Sequence, residues 1–283
     1  HTHATTTQEP IFETGVELEL CHPGHGDPAY LARREAIFAL SQLHRVEGLE
    51  PPVIQYTEEE NSVWETVTRK LAPLHERFAA SCYLRGKERL NIPTSRVPQL
   101  AVLSAELQHL TGIGLVSAEG AIPFKRFFTY LADGRFPCTQ FLRHASKPEF
   151  TPEPDMTHDL FGHVPPLADA EYVEIICMLG RATKAATPEQ ALKLKHFSWF
   201  SIEFGLIEEQ NETRILGAGI LSSIGEIPFS LSSEVERRPF RFQEVIETPY
   251  DVTRMQNLLF TVKSLSHLRN ELQHCVQALG IAL

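Results

Sequence analysis

Residues 154–166 read Pro-Asp-Met-Thr-His-Asp-Leu-Phe-Gly-His-Val-Pro-Pro, and this stretch carries the most specific chemistry in the chain. His158 and His163 lie five positions apart, which on an α-helix turns their side chains about 140° away from each other. Both can reach one metal ion only if the helix ends near the second histidine. Pro165 favours such an end, because a residue before proline avoids the α conformation and Val164 should already leave the helix. Two ordinary polar histidines near a helix end remain the alternative.

Glu203 is the second unusual residue of the sequence. On a helix its neighbours on the same face are apolar: Trp199, Phe200, Leu206 and Ile207. The carboxylate should therefore project into the core, where a charged group must be paired or coordinate a metal. A buried ion pair with an Arg or Lys is one possibility. The other possibility is a metal site, in which two imidazoles and one carboxylate bind one ion and leave its other coordination positions open. This ligand set is typical of non-haem Fe(II) oxygenases.

Composition excludes several classes of protein. The chain has 283 residues, of which 42% are hydrophobic, and a formal net charge of −10. This acidic balance argues against a nucleic-acid partner, which requires clustered Lys and Arg. We find no apolar run of the roughly 20 residues that a membrane helix needs, and no signal peptide. Five scattered cysteines fit a reducing environment better than a disulfide framework. We expect a cytoplasmic protein without nucleic-acid or membrane partners.

Hydrophobic periodicity predicts a mainly α fold with small β elements. We expect residues 1–8 to be a disordered terminus or a remnant of cloning, and residues 9–283 to form a single domain. No repeat or doubly wound α/β pattern is present. Helices are predicted over 27–43, from 57 through 74, and over 99–110, 123–132, 169–184, 188–209 and 253–278. Strands are predicted over 135–142 and 214–220, whereas 112–120 and 234–249 read as mostly irregular.

The segment 153–165, the helix around Glu203 and the run Leu-Gly-Ala-Gly-Ile-Leu-Ser-Ser at 216–223 resemble the catalytic domain of the pterin-dependent aromatic amino acid hydroxylases. The resemblance extends in register over about residues 56–275. It implies a mainly α catalytic domain whose iron ligands, which are also its catalytic residues, are His158, His163 and Glu203. The implied cofactors are Fe(II) and a tetrahydropterin such as tetrahydrobiopterin, with O₂ as co-substrate.

The same resemblance implies a substrate site for an aromatic amino acid. Arg143 matches the family's arginine for the substrate carboxylate, and a guanidinium suits this role because it can bind a carboxylate with two parallel hydrogen bonds. The other implied substrate-binding residues are Thr151 and Ser222 at the polar end of the amino acid and Trp199, Phe204 and Val252 around its ring. Without the resemblance, these residues would read as a surface ion pair, capping hydroxyls and core packing.

The implied pterin-binding residues are Phe127, which matches an aromatic that stacks on the pterin, Gly120 and Ile122 in the matched pterin loop, and Asp159. The sequence departs from the family at three positions. Asp159 stands where animal members carry Glu, Ser198 replaces a Tyr beside the pterin and metal, and Thr157 stands where Cys or Phe is expected. The changes at Thr157 and Ser198 put the ring position that is hydroxylated in question more than the oxygenase chemistry.

The resemblance therefore implies a monooxygenase that converts L-phenylalanine to L-tyrosine. Val252 favours phenylalanine, because an apolar residue leaves nothing for a phenol hydroxyl to bond. Open alternatives are meta hydroxylation, a tryptophan or tyrosine hydroxylase, a zinc hydrolase using the same ligands, and an inactive amino-acid-binding module. We expect a monomer.

His144 lies beside Arg143 in the sequence and could support it. The remaining histidines, His144 among them, are all predicted to be solvated or locally bonded: His22, His25, His44, His75, His109, His144, His196, His267 and His274.

Overall fold

A computed structural model of the chain describes residues 18–118 and 122–283; the predicted terminus at 1–8 and the predicted pterin-loop Gly120 lie outside the described residues. The α-helical segments are Pro28–Val46 (α1), Glu58–Phe78 (α2), Ser81–Leu90 (α3), Leu100–Thr111 (α4), Phe124–Ala132 (α5), Met156–His158 (α6), Ala170–Ala185 (α7), Pro188–Ser198 (α8), Ala218–Leu221 (α9), Glu226–Ser230 (α10), Phe242–Val245 (α11) and Leu265–Ala278 (α12). The strands are Gly114–Ala118 (β1), Arg135–Thr139 (β2), Leu206–Glu209 (β3), Glu212–Ile215 (β4), Glu236–Pro239 (β5) and Leu258–Val262 (β6). The prediction of a mainly α fold with small β elements is confirmed.

Local sequence signals explain where the long helices begin. In α2, the side chain of Thr57 accepts a hydrogen bond from the backbone of Glu60 and the Glu60 side chain accepts one from the backbone of Thr57. This reciprocal capping satisfies two backbone donors that have no partner within the helix. Helix α8 begins with the same arrangement between Thr187 and Gln190. The apolar stripe of α2 is buried, as its spacing predicts.

Two predicted helices were too long. The helix over 188–209 ends at residue 203, and Leu206–Glu209 forms strand β3 instead. In the helix over 253–278, Leu258–Val262 forms strand β6 and only Leu265–Ala278 is helical. Both strands are short apolar runs, which periodicity cannot distinguish from buried helix. Their partners decide the outcome, because β3 and β6 pair with each other in parallel.

Smaller differences affect the other predicted segments. Residues 114–118, which read as irregular, form β1, and the strand predicted over 135–142 ends at residue 139. The strand predicted over 214–220 is β4 only as far as residue 215, after which α9 begins. The stretch 234–249 contains β5 and α11. In each case the missed element is only four or five residues long.

The strands form two small sheets. Strands β1 and β2 pair in parallel, with α5 between them in the chain. The second sheet has the order β4-β3-β6-β5, in which only the β3–β4 pair is antiparallel. The β3–β4 hairpin begins three residues after Glu203 and therefore directs the chain away from the end of that helix.

One large buried cluster extends in sequence from Val63 to Ile281 and includes residues from most of the helices and strands. Close backbone approaches support it. A Cβ atom at Gly86 of α3 would lie 1.8 Å from the carbonyl oxygen of Pro165, so only glycine allows α3 to pack against the 3₁₀ turn Pro165–Ala168. Within 18–118 and 122–283, no helix combines the length and the apolarity that crossing a bilayer requires.

Candidate metal centre and substrate cavity

His158 and His163 are brought together by a π turn, a helical turn with hydrogen bonds between residues five apart. Helix α6 is capped by Asp155, whose side chain accepts a hydrogen bond from the backbone of His158 at 3.1 Å. The chain continues as the π turn Asp159–His163, in which the Val164 N–H donates to the carbonyl of Asp159 at 3.0 Å. The five-residue hydrogen-bond step of the π turn places both imidazoles on the same side of the chain. Such turns are frequent at functional sites.

The sequence predicts a helix end near His163, and this prediction is wrong. Val164 does not leave the helical conformation before Pro165, because its φ and ψ are −71° and −44°. The chain passes directly into the 3₁₀ turn Pro165–Ala168. The five-residue spacing of the histidines matches the five-residue hydrogen bond of the π turn, so no helix end is needed between them.

Glu203 is placed by a second π turn. Helix α8 continues into the π turn Trp199–Glu203, where the Phe204 N–H donates to the carbonyl of Trp199 at 2.8 Å. Phe200 is buried as predicted, but Leu206 and Ile207 belong to strand β3 rather than to the face of a helix. The Glu203 carboxylate is partly exposed and faces a cavity. Its partners among the described residues are the two histidines and not an Arg or Lys.

The three side chains converge on one point. Nε2 of His163 lies 3.0 Å from Oε1 of Glu203, and Nε2 of His158 lies 3.8 Å from Oε2 of the same carboxylate. The two Nε2 atoms are 3.1 Å apart. One potential ligand atom from each residue lies within 4.8 Å of the other two. Two imidazole nitrogens and a carboxylate oxygen this close together can coordinate one cation, so the donor set fits a divalent metal such as iron.

The ionisation of His158 and Glu203 suits metal binding, whereas the pKa of His163 is raised because the effect of burial, which would lower it, is outweighed by the charge of Glu203. Burial, together with the neighbouring His163, lowers the pKa of His158 to about 4. Burial alone would raise the pKa of Glu203, but the charge and hydrogen bond of His163 outweigh it and lower the pKa to about 2. Near neutral pH the chain thus presents a neutral His158 imidazole and an ionised Glu203 carboxylate, which are the forms that bind metals.

Ser222 orients the first histidine. Its hydroxyl donates to the carbonyl of Ala218 at 2.7 Å and lies 2.8 Å from Nδ1 of His158. Because the hydroxyl proton is already used, Ser222 accepts a hydrogen bond from the Nδ1–H of His158. This tautomer leaves Nε2 free to act as a ligand. Hydrogen-bond partners of metal-binding histidines commonly fix the tautomer in this way. In contrast, Nδ1 of His163 is buried without a hydrogen-bond partner among the described residues.

His75 connects the two segments that carry this arrangement. It is fully buried, and one of its ring nitrogens, Nε2, lies 2.6 Å from the carbonyl of Leu221, next to Ser222. Its Nδ1 lies 3.2 Å from the hydroxyl of Tyr83, which donates to the carbonyl of Phe161 in the first π turn. Burial lowers the pKa of His75 to about 3. The sequence predicted a solvated or locally bonded histidine, and no local pattern indicated this position.

Several of the other histidines form hydrogen bonds, some of them with residues far away in the sequence. His144, the possible support for Arg143, instead contacts Asp27 at the start of α1, with 2.8 Å between Nε2 and the carboxylate. His22 is buried rather than solvated and lies 3.0 Å from the carboxylate of Glu153. Neither contacts the metal ligands.

A cavity of about 860 Å³ lies above the three ligands. Its lining is largely apolar and includes eight aromatic side chains: Phe124, Phe127, Phe128, Phe136, Phe150, Trp199, Phe204 and Tyr250. The Trp199 ring stacks on Tyr250 with centroids 4.3 Å apart, and its indole N–H donates to Oε1 of Gln256 at 3.2 Å. Among the predicted ring-site residues, Trp199, Phe204 and Val252 all line this cavity. Both Tyr250 and Gln256 lie within the range 56–275 of the resemblance, but their contacts were not predicted from the sequence.

Arg143 lines the same cavity but is not a surface residue. Its Nε and one terminal nitrogen donate to the two oxygens of Asp155 at 3.0 and 2.9 Å, and its other terminal nitrogen donates to the carbonyl of Pro148 at 3.3 Å. Burial alone would raise the pKa of Asp155, but Arg143 outweighs it and lowers the pKa. Three of the five guanidinium N–H donors are thus in use, and two are left for a ligand.

The remaining predicted residues fall into two groups. Ile122, Phe127, Thr151, Ser198 and Ser222 line the cavity, and the hydroxyl of Thr151 donates to the carbonyl of Glu153 at 2.6 Å. Asp159 and Thr157 do not line the cavity. The Asp159 carboxylate accepts two hydrogen bonds from Thr139 at 2.8 Å, and burial raises its pKa to about 6. Thr157 is buried, with no hydrogen-bond partner for its hydroxyl among the described residues.

Comparison with known proteins places this geometry in a family. The chain is 35% identical over 269 residues to phenylalanine-4-hydroxylase of Rattus norvegicus, which covers 93% of this chain and 59% of the relative. It is 34% identical over 268 residues to tyrosine 3-monooxygenase of Schistosoma mansoni, covering 93% of this chain and 57% of that protein. The chain therefore spans about three fifths of the length of these relatives.

A crystal structure of phenylalanine hydroxylase from Chromobacterium violaceum with bound iron(III) and 7,8-dihydrobiopterin superposes with a TM-score of 0.76. That chain is 31% identical, and the alignment covers 85% of this chain and 92% of the other. The model of the family described as biopterin-dependent aromatic amino acid hydroxylase matches residues 3–281. With two histidines and a glutamate meeting beneath an aromatic cavity, and with this match over nearly its whole length, the chain belongs to the biopterin-dependent aromatic amino acid hydroxylases.

Proposed function

We propose that this chain is an iron- and tetrahydropterin-dependent monooxygenase that hydroxylates the ring of L-phenylalanine to give L-tyrosine. The observation that carries the proposal is the meeting of His158, His163 and Glu203 at the base of a largely apolar cavity that also contains Arg143. Two imidazoles and one carboxylate leave the other coordination positions of an iron ion open. When bound, iron and the tetrahydropterin supply the activation of O₂ and the electrons for the reaction.

The chain's own residues bind and orient the substrate. The two free N–H donors of Arg143 bind the substrate carboxylate, while Asp155 holds the guanidinium in place from the other side. The aromatic ring of the substrate packs among Trp199, Phe204 and Val252, which line the same cavity. Fixing both ends of the amino acid holds its ring in one orientation above the metal ligands, which is the main contribution of the protein to such a reaction.

Other residues prepare the site for metal and pterin. The hydrogen bond from His158 to Ser222 keeps Nε2 available, and the ionised Glu203 supplies the negative charge that a ferrous ion requires. Phe127 and Ile122 line the cavity at a distance in sequence from the ligands, and an aromatic face is suited to stacking on a flat pterin. Asp159 is bonded to Thr139, so we propose that it acts on the pterin only indirectly.

The second candidate within this class is meta hydroxylation. Ser198 lines the cavity where family members carry Tyr, and the smaller side chain leaves more room beside the metal ligands. Hydroxylation of tyrosine is a further alternative, since one relative is a tyrosine 3-monooxygenase. Val252 argues for phenylalanine, because an apolar side chain gives the hydroxyl of tyrosine no partner.

The test is incubation of the iron-loaded protein with a tetrahydropterin, O₂ and either L-phenylalanine or L-tyrosine, with products separated by chromatography. We expect para-tyrosine from L-phenylalanine. A dominant meta-tyrosine peak would favour meta hydroxylation of phenylalanine. A product formed from L-tyrosine but not from L-phenylalanine would favour a tyrosine hydroxylase. Absence of any pterin-dependent product, with hydrolytic turnover by zinc-loaded protein, would overturn the proposal in favour of a metal hydrolase.

A further inference from the structure

Glu226 is an acidic residue of the cavity to which the proposed chemistry assigns no role. It is the first residue of α10 and lies four positions after Ser222. Its backbone N–H donates to the hydroxyl of Ser223 at 3.1 Å, and its carboxylate accepts a hydrogen bond from the backbone of Gln256. The residue is half-buried and lines the same cavity as Arg143.

The environment of Glu226 differs from that of the other acids in the cavity lining. Each of the others has a basic partner: Glu149 with Lys70, Glu153 with Arg34, and Glu203 with His163. Within the described parts of the chain, Glu226 forms no ion pair. Burial raises its pKa to about 7. A half-buried carboxylate without a counter-charge is unfavourable on its own and becomes favourable when a cation binds beside it.

An amino-acid substrate carries two opposite charges on adjacent groups, and the cavity offers the complement of both. Arg143 has two unused N–H donors for a carboxylate. Moving an ammonium group from water into a largely apolar cavity is costly unless an anion receives it. We propose that Glu226 binds the α-ammonium group of the amino-acid substrate while Arg143 binds its carboxylate. This inference rests on the proposed function, because it deepens the description of the same site.

The hydrogen bond from Gln256 suggests a simpler role for Glu226, as an anchor for the segment 249–257. The two roles make different demands on the side chain. An amide oxygen can accept the Gln256 N–H as well as a carboxylate can, whereas only the carboxylate attracts an ammonium. Glu226→Gln therefore retains the anchor and removes the charge.

The experiment measures binding and does not depend on turnover. Iron-loaded protein without pterin is titrated by calorimetry with L-phenylalanine and with 3-phenylpropanoate, which has the same ring and carboxylate but no ammonium. We expect Glu226→Gln to weaken L-phenylalanine binding by about tenfold or more, the usual cost of losing a hydrogen bond between charged groups. Binding of 3-phenylpropanoate should be unchanged or tighter. Equal effects on the two ligands, or no effect on either, would overturn the proposal.

Glu149→Gln is the matched control. It removes a negative charge from the lining of the same cavity, but this carboxylate already has Lys70 as a partner. In this variant, the ratio of the dissociation constants of L-phenylalanine and 3-phenylpropanoate should stay within about twofold of the ratio in the unsubstituted protein. A change in this ratio as large as that of Glu226→Gln would mean that cavity charge in general, and not Glu226, selects the ammonium.

A second measurement needs no variant and covers the case in which Glu226→Gln fails to fold. Because burial raises the pKa of Glu226 to about 7, part of this carboxyl is protonated near neutral pH, and binding of an ammonium should release more protons than binding of 3-phenylpropanoate. Titration in buffers of different ionisation enthalpy counts these protons, and equal counts for the two ligands would contradict the proposal. A separate hydroxylation assay distinguishes failure of this inference from failure of the proposed function.

Discussion

The cavity has two walls that are built in different ways. One, here called the metal wall, consists of helix α6 and the π turns Asp159–His163 and Trp199–Glu203, which together carry the three ligands. It rests on fully buried side chains, among them Leu160 and Phe200. The other, the loop wall, consists of residues 249–257, where the side chains of Val252 and Met255 are 68% and 49% exposed.

The two walls are also held by different interactions. The metal wall is held by core packing and by close contacts such as that between Gly162 and Ala218. The loop wall is held mainly through Gln256, whose side-chain amide donates to the carbonyls of Asp251 and Arg254 and accepts from Trp199. Dense packing resists any displacement, whereas an exposed loop accommodates substitution. The metal wall therefore fixes the reacting centre, and the loop wall is where substrate preference can change at little structural cost.

The largest effect is expected from Glu203→Ala in the metal wall. Removal of a direct ligand should cost more than the roughly 10- to 100-fold that follows loss of a supporting partner. Iron content, measured by elemental analysis, should fall to background, and hydroxylation should fall with it. Glu208→Ala is the control, because this exposed acid lies on β3, only five residues further along the chain. Full iron retention by Glu203→Ala would disprove the metal site.

A pair of glycine substitutions compares the packing of the two walls. A Cβ atom at Gly162 would lie 2.7 Å from the carbonyl oxygen and 2.8 Å from the Cβ of Ala218. We expect Gly162→Ala to lower the free energy of unfolding by about 1–3 kcal/mol, as overpacking does. Gly225 lies beside the loop wall, and the only atom within 4 Å of an added Cβ is the terminal methyl of Met255, at 3.0 Å. The free energy of unfolding of Gly225→Ala should therefore stay within about 0.5 kcal/mol of that of the unsubstituted protein. Urea denaturation measures both, and equal losses would contradict the difference between the walls.

The pH dependence of stability tests the buried support of the metal wall. His75 has a pKa of about 3 in the folded protein, well below that of an unfolded chain. Below pH 6.5 the unfolded state therefore binds a proton that the folded state does not, and stability falls as the pH falls. His75 should contribute a loss of about 1.4 kcal/mol per pH unit between about pH 6 and pH 4. The free energy of unfolding of His75→Gln should depend less steeply on pH; parallel curves would exclude this contribution.

The smallest effect is expected from Val252→Ala in the loop wall. The side chain is mostly exposed, so the free energy of unfolding should change by no more than about 0.5 kcal/mol. Any effect should appear instead in the relative kcat/KM for phenylalanine and tyrosine. Thermal unfolding together with the two kinetic assays checks this, and a large loss of stability would show that the loop wall is packed as tightly as the metal wall.

Much of the fold could be predicted from the sequence because the signals are local. The caps at Thr57 and Thr187 and the apolar stripe of α2 depend on residues within one helix, and the structure agrees with them. The metal ligands could be proposed from residue type and from the resemblance to the hydroxylases, since imidazole and carboxylate donors at a polar point in an apolar sequence have few explanations.

The strands and the supporting contacts could not be predicted in the same way. Leu206 pairs with Thr261, 55 positions away, and neither residue's neighbours reveal the other. The contacts of His75 with Leu221, and of Glu226 with Gln256, likewise join distant segments. Patterns within a window of 11–18 residues contain no information about such partners.

By itself, the amino-acid sequence determined which groups could bind a metal and where the long helices begin, because residue chemistry and capping act over a few positions. Only the tertiary structure decided that a π turn follows His158 and ends at His163, that Ser222 sets the tautomer of His158, and that Glu226 faces the cavity without an ion-pair partner among the described residues. The physical reason is that a π turn differs from an α-helix by one hydrogen-bond step, and packing against distant segments selects between them.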